Sequence, residues 1–287
     1  MEQQLHYPFV QFSRYLFAVL LCCVVSQTAL AANGQKNKEI VFGLLPIIST
    51  EKLIARFGPM ADYISERLGR PVRLETSPDF ASFMQRTNKE KRYDIIFTAP
   101  HLYYIAQRQA AYNVIVRVAA PDMKAVIVVA KDSSITKLLD LKGKTLSTTD
   151  PLALATLMVK AHLDKSGINS EKDLSLIYTP SHNASLISAY KGITEAGSLM
   201  MPPFKRAKKE IQQSMRVLSV TDGSPHMPIA VSAALDKKLA KKIKNVLLQL
   251  KSNDKGKALL KHLRWPGFVS VKSQEYDKLK WAVEQLK

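Results

Sequence analysis

Beyond its first 31 residues the chain has no cysteine; the two it contains, Cys22 and Cys23, both fall in the opening segment. The remainder is therefore without a disulfide framework, a thiolate metal site or a cysteine nucleophile. The short patterns of common enzymes are missing too: there is no Gly-x-Ser-x-Gly elbow, no Gly-rich phosphate loop and no His-Glu-x-x-His. The six histidines are scattered, and none has an i, i+4 partner with a carboxylate between, so no metal motif is present. A hydrolase or transferase would need a Ser-His-Asp set assembled from distant parts of the chain. The sequence is read as that of a non-enzyme with no cofactor and no metal. Acidic side chains are also scarce, 24 against 42 Lys and Arg, which leaves a net charge of +18. Such an excess suits nucleic acid, an acidic surface or a small anion drawn by the summed field.

Residues 15–25 form an apolar run, preceded by Arg14 and followed by Ala29-Leu30-Ala31, the small-x-small form of a cleavage site. The run falls short of the roughly 20 residues that span a bilayer. Residues 1–31 are thus expected to be a cleaved signal peptide, and neither cysteine follows the small residue that a lipid-attachment site needs. Glu2 and Arg14 cancel, so the charge belongs to the exported part. Export argues against nucleic acid as the partner, and a disulfide-free chain of this length fits a bacterial periplasm. Lys237, Lys238, Lys241, Lys242 and Lys244 are spread along a helix and read mainly as a solvated face.

Past a linker at residues 33–38, strand and helix signals alternate. A strand over residues 39–46 ends at Pro46, and a helix runs from a Thr50 cap to Leu68, stopped by Gly69 and Pro71. A strand over residues 71–76 and a helix over residues 80–87 follow. Residues 94–104, Asp-Ile-Ile-Phe-Thr-Ala-Pro-His-Leu-Tyr-Tyr, then read as a buried strand delivering a polar loop to a helix start. The rhythm restarts with the β-rich residues 125–130, a short helix over residues 135–140, and strands over residues 145–148 and 174–178. Helices are expected over residues 151–166 and 181–190. Residues 215–220 and 228–233 are two further strands about a turn cluster at residues 221–226, read as the chain crossing back to the first lobe. Helices over residues 236–250, 254–262 and 274–285 complete the chain, with an apolar loop at residues 265–269 packed on that lobe. A mostly parallel α/β architecture in two lobes follows.

The order of several motifs resembles the periplasmic substrate-binding proteins of phosphonate, phosphite and phosphate ABC transporters, of the two-lobed type II fold. They are Phe42-Gly43-Leu44-Leu45-Pro46, Leu68-Gly69, residues 93–97 with Pro100 and Tyr103, Lys131-Asp132-Ser133, residues 140–144, Asp150-Pro151, Ser181-His182, Lys191-Gly192 and Ala196-Gly197. The likeness spans residues 40–270. It implies an α/β fold of two wound mixed sheets joined by a two-strand hinge, with lobe 1 at residues 32–127 plus 226–287 and lobe 2 at residues 128–225. It also implies a solute handed to a membrane permease. The family's Ser/Thr/Gly cluster after Asp-Pro is replaced here by Leu152, Ala153, Leu154, Ala155 and Thr156, of which Thr156 alone keeps a hydroxyl. The family's Ser-His-Asp becomes Ser181-His182-Asn183, and its later acid corresponds to Glu195.

The expected ligand-binding residues are Ser49, Thr98, Ala99 and Tyr103 on one jaw and Ala155, Thr156, Ser181, His182 and Glu195 on the other. Loop hydroxyls and unpaired N–H groups at helix starts suit an anion, and backbone N–H groups of residues 153–156 can serve without side chains. Of Tyr103 and Tyr104, adjacent on a helix, one at most can wall a cleft. His101 either faces the cleft or lies exposed on the loop. Met200, Met201, Pro202 and Pro203 are read as a strand-end loop following Ser198. Expected partners are a small anionic ligand and an ABC permease, or a membrane sensor in place of the permease, with the chain a monomer.

Overall fold

A computed structural model describes residues 39–286; the expected signal peptide at residues 1–31 and the linker ahead of residue 39 lie outside them. Two mixed sheets, each covered by helices on both faces, form the two lobes, as expected of the type II architecture. The first holds β1 (Ile40–Leu44), β2 (Val72–Thr76), β3 (Ile95–Phe97), β4 (Tyr112–Val118), β10 (Pro228–Ser232) and β11 (Phe268–Val269), in the order β11-β4-β10-β3-β1-β2. The second holds β5 (Ala125–Ala130), β6 (Thr145–Thr148), β7 (Ser175–Tyr178), β8 (Ala196–Met200) and β9 (Met215–Val220), in the order β7-β6-β8-β5-β9. In each sheet the strands nearest the site are parallel, β1 with β2 and β3, and β6 with β7 and β8. Both sheets become antiparallel where the chain crosses between them, at β10 in one and β5 in the other.

Alternation along the strands decides which side chains feed which core. Ile40, Phe42, Leu44, Ile95 and Phe97 face the cluster under α1 (Thr50–Leu68), α8 (Lys237–Leu248) and α9 (Asp254–Leu263). Ile96 and Leu45 face the opposite cluster under α2 (Phe80–Asn88) and α3 (Pro100–Ala110). In the second lobe Ala125, Ile127 and Val129 face α4 (Leu154–Lys165), and Val126 and Val128 face α5 (His182–Tyr190). Helix α1 ends as its sequence demands: Gly69 adopts φ 64° and its N–H donates to the Ser65 carbonyl.

Two crossing segments join the lobes, and Met123 and Ser224 exchange backbone hydrogen bonds of 2.7 and 2.8 Å between them. The first crossing precedes β5, a few residues ahead of the expected division at residue 127, because all of β5 pairs within the second sheet. Trp281 on α10 (Lys280–Glu284) packs against the cores of both lobes, so the C-terminal segment is a third connection. Three strands went unread in the sequence: β4, β8 and β11, the last lying within the loop expected at residues 265–269. Of residues 200–203, expected as a strand-end loop, Met200 ends β8, in which Ser198 is fully buried, and the others lie in the short helix α6 (Met201–Lys205), followed by α7 (Lys209–Ser214).

Candidate functional site

Several helices start where parallel strands end, which is where an open α/β sheet gathers ligands. Helix α1 follows β1 and α3 follows β3 in the first lobe; α4 follows β6 and α5 follows β7 in the second. The two jaws meet. His101, in the first turn of α3, is fully buried, and its Nε2 lies 2.9 Å from the carbonyl oxygen of Leu152, just ahead of α4. Leu152 and Ala153 pack into the first lobe's core beside Leu45 and Ala99.

On the first jaw, Ser49 occupies the cap position of α1 in place of the expected Thr50, exposed and without a side-chain capping bond. Thr98 is buried; its N–H donates to the Pro228 carbonyl at 3.4 Å, and its Oγ1 has no partner. Ala99 is the buried cap of α3. Tyr103, expected as a cleft wall, is a core residue: its hydroxyl accepts the Val114 N–H at 3.2 Å and its ring meets Tyr276 edge-on at 4.9 Å. Tyr104 is buried as well, with the Arg108 guanidinium 3.5 Å above its ring.

On the second jaw, Ala155 and Thr156 form the first turn of α4, both buried. The Thr156 hydroxyl is spent on β6, 2.9 Å from Thr148 Oγ1 and 3.3 Å from both Thr149 Oγ1 and the Thr149 carbonyl. Leu154 faces the lobe's own core and not the cleft. The helix start is already occupied by the chain itself: the Leu152 N–H donates to Asp150 Oδ1 at 2.7 Å and the Ala153 N–H to the Asp150 carbonyl at 2.9 Å. Of the expected anion seat on residues 153–156, the Ala153 N–H is committed to this turn. Burial pushes the Asp150 carboxyl above its ordinary pKa against the Leu152 hydrogen bond, and Asp79 on the facing lobe adds to the rise.

Ser181 caps α5 by accepting the Ala184 N–H at 3.2 Å. His182 begins the helix; its Nδ1 is buried without a partner, and burial followed by the positive charge of Arg206 lowers its pKa to about 4. Glu195 is not at the site. It precedes β8 beside Thr145, whose N–H donates to it at 2.8 Å, at the end of the sheet opposite the helix starts. It steadies the beginnings of β6 and β8.

Sequence reasoning missed Asp150 as an internal anion, Arg206 as the neighbour of His182, and the burial of His101. The Asp-Pro motif marks the first, while the other two depend on contacts between distant segments. Thr98, His101 and His182 each keep an unpartnered buried polar atom at a helix start, an arrangement that a polar ligand satisfies. Among the described residues no group of three metal-binding side chains converges.

Comparison with known proteins agrees with this geometry. Residues 42–276 match the family profile described as ABC transporter, phosphonate, periplasmic substrate-binding protein. The structure of a binding-protein component of an ABC phosphonate transporter from Pseudomonas aeruginosa superposes with a TM-score of 0.77 at 18% identity, over 87% of each chain. A Prochlorococcus marinus protein solved in complex with methylphosphonate gives 0.78 at 19% identity, over 87% of this chain and 98% of that one. A Xanthomonas citri protein solved bound to ATP gives 0.74 at 18% identity, over 86% and 98%. The two-lobed fold is common to all of them, and the chain belongs to the family of periplasmic substrate-binding proteins of phosphonate ABC transporters, which bind a solute and are not enzymes.

Proposed function

We propose that this chain is an exported, monomeric receptor whose lobes close over a small phosphorus oxyanion, such as phosphonate, phosphite or phosphate, and present it to an ABC permease. The observation that carries this is the meeting of helix starts from both lobes, joined by His101 and Leu152, with unpartnered polar atoms on Thr98, His101 and His182. Lobe closure about a hinge is the motion such receptors use, and the two antiparallel crossings provide it. Methylphosphonate in the Prochlorococcus structure and ATP in the Xanthomonas structure support a phosphorus-containing ligand. The charge of +18 favours any anion.

A second reading, a periplasmic sensor that docks on a membrane kinase or cyclase, is favoured by one observation: the residues ahead of α4 are folded into a turn on Asp150 and lack the family's hydroxyl cluster. Calorimetry across methylphosphonate, phosphite, phosphate and organic phosphates tests the receptor. Binding with contraction in small-angle scattering is expected, and silence across the panel would sink it in favour of the sensor. A permease and ATPase encoded beside the protein, against a signalling protein, separates the two partners.

A further inference from the structure

Lys52 and Arg56 on α1, His262 and Arg264 at the end of α9, and Arg206 beyond α6 line an open cavity of about 330 Å³. Arg206 belongs to the second lobe and the others to the first, so the cavity lies where the lobes meet. No carboxylate lines it, and among the described residues none of these side chains is in an ion pair. Five arginines elsewhere do face carboxylates: Arg73, Arg86 and Arg92 share Glu75, Arg108 meets Asp277 and Arg117 meets Glu275.

The cluster is built. The half-buried Arg56 donates from Nη2 to the Leu263 carbonyl at 2.9 Å, and its guanidinium lies 5.3 Å from the Trp265 ring centre. His262 Nε2 lies 3.2 Å from the Ala55 carbonyl, fixing the end of α9 against α1. Burial, then the charges of Arg206 and Arg264, press the Arg56 pKa downward, and burial, then Arg264, lower that of Arg206. Three guanidiniums from two lobes therefore repel one another with nothing on the protein to neutralise them. A bound anion reverses the sign of that interaction, and arginine forks suit phosphate oxygens. The α4 start is the poorer seat, since Asp150 stands there with Asp79 opposite. Four fixed positive charges exceed the roughly two negative charges of a single phosphoryl group at neutral pH, and a volume of about 330 Å³ exceeds what one such group fills.

We propose that this cavity is an anion subsite for a condensed phosphate chain, inorganic or carried on a nucleotide, and that such a ligand holds the lobes closed by bridging Arg206 to Arg56 and Arg264. This assignment rests on the receptor function proposed above and names its ligand class. Calorimetry with tripolyphosphate, pyrophosphate, ATP, phosphate and methylphosphonate, on the intact protein and on Arg206→Gln and Arg264→Gln, tests it. Tripolyphosphate is expected to bind at least about ten-fold more tightly than phosphate or methylphosphonate, and each substitution to weaken it by roughly ten-fold or more. Because each substitution relieves repulsion, the thermal midpoints of the ligand-free variants should not fall, which separates lost binding from lost folding. Comparable ATP and tripolyphosphate affinities mean that the phosphate chain is what is read; ATP binding unaffected by both substitutions overturns the site. Methylphosphonate binding without tripolyphosphate binding overturns the inference and leaves the receptor standing. Silence with all five overturns both.

Discussion

His101 Nε2 lies 2.9 Å from the Leu152 carbonyl oxygen, tying the first turn of α3 in one lobe to the segment ahead of α4 in the other. A carbonyl oxygen only accepts, so Nε2 carries the proton and the buried, unpartnered Nδ1 carries the lone pair. The contact requires a neutral imidazole, and the low pKa of about 4, set by burial against the Leu152 hydrogen bond, keeps it neutral at ordinary pH. Protonation places a second N–H where nothing accepts it, which opposes this buried contact.

Stability should therefore fall with acid. His101, His182 and His226 are each lowered to about 4 by burial first, with Arg206 adding to it at His182 and Arg117 adding to it at His226, where Asp122 opposes. The unfolded chain takes up these protons near pH 6.5, whereas the folded chain does not until about pH 4, so stability is complete above the first value and declines toward the second. Between those two values each of the three contributes a slope approaching about 1.4 kcal/mol per pH unit. Urea unfolding between pH 7.5 and 4.5 measures it. His101→Gln, which keeps a donor for Leu152, should flatten the profile; an unaltered profile would contradict the assignment.

Much of the frame is legible in local sequence, because its signals are local. Gly69 ends α1 through its backbone and Ser181 caps α5 through its hydroxyl, and Val-Ile-Val-Val in β5 has no stable alternative to a buried strand. By contrast, β8 reads Ala-Gly-Ser-Leu-Met and has little intrinsic strand preference. It is a strand because small residues let α5 approach: a Cβ on Gly197 would lie 2.9 Å from the Ser185 carbonyl, and Ser185 Oγ lies within hydrogen-bond distance of the carbonyls of Ser147 and Ser198, at 2.9 and 2.8 Å. The jaws are visible as strand-end motifs. The arginine cavity is not, since residues 52–56, 206 and 262–264 share no motif and meet only after folding.

Gly43 has a steric reason to be glycine. It sits mid-strand in β1, paired with β2 and β3, and a Cβ there would lie 2.5 Å from the Tyr93 ring, which is buried and stacked 5.5 Å from Phe83. Gly43→Ala should cost about 1–3 kcal/mol through overpacking. In a Tyr93→Leu background the same change should cost distinctly less, and equal costs in the two backgrounds would refute the contact as the cause.

Thr156 holds the turn between β6 and α4 and is not free to serve a ligand in this arrangement. Thr156→Val keeps the shape but leaves Thr148 Oγ1 buried without that partner, and should cost about 1–3 kcal/mol in urea unfolding. Thr156→Ser should recover most of the loss. If instead Thr156→Val leaves stability unchanged and abolishes oxyanion binding, the hydroxyl belongs to the ligand.

Asp150 decides whether α4 can still hold an oxyanion. Its carboxylate takes the Leu152 N–H at 2.7 Å, and its raised pKa, caused by burial and Asp79 against that bond, marks the charge as unwelcome in the folded state. A carboxyl raised on folding gains protons relative to the unfolded chain, so the ionised form costs stability at neutral pH. Asp150→Asn keeps an acceptor for the helix start and removes the charge; the thermal midpoint at pH 7 should hold or rise. The positive end of α4 would then face one carboxylate fewer, and methylphosphonate affinity should increase by several-fold, within the roughly 0.3–1 kcal/mol scale of a helix-terminus charge. An unchanged affinity alongside a raised midpoint would mean that the anion never visits α4, as expected if the arginine cavity is its seat.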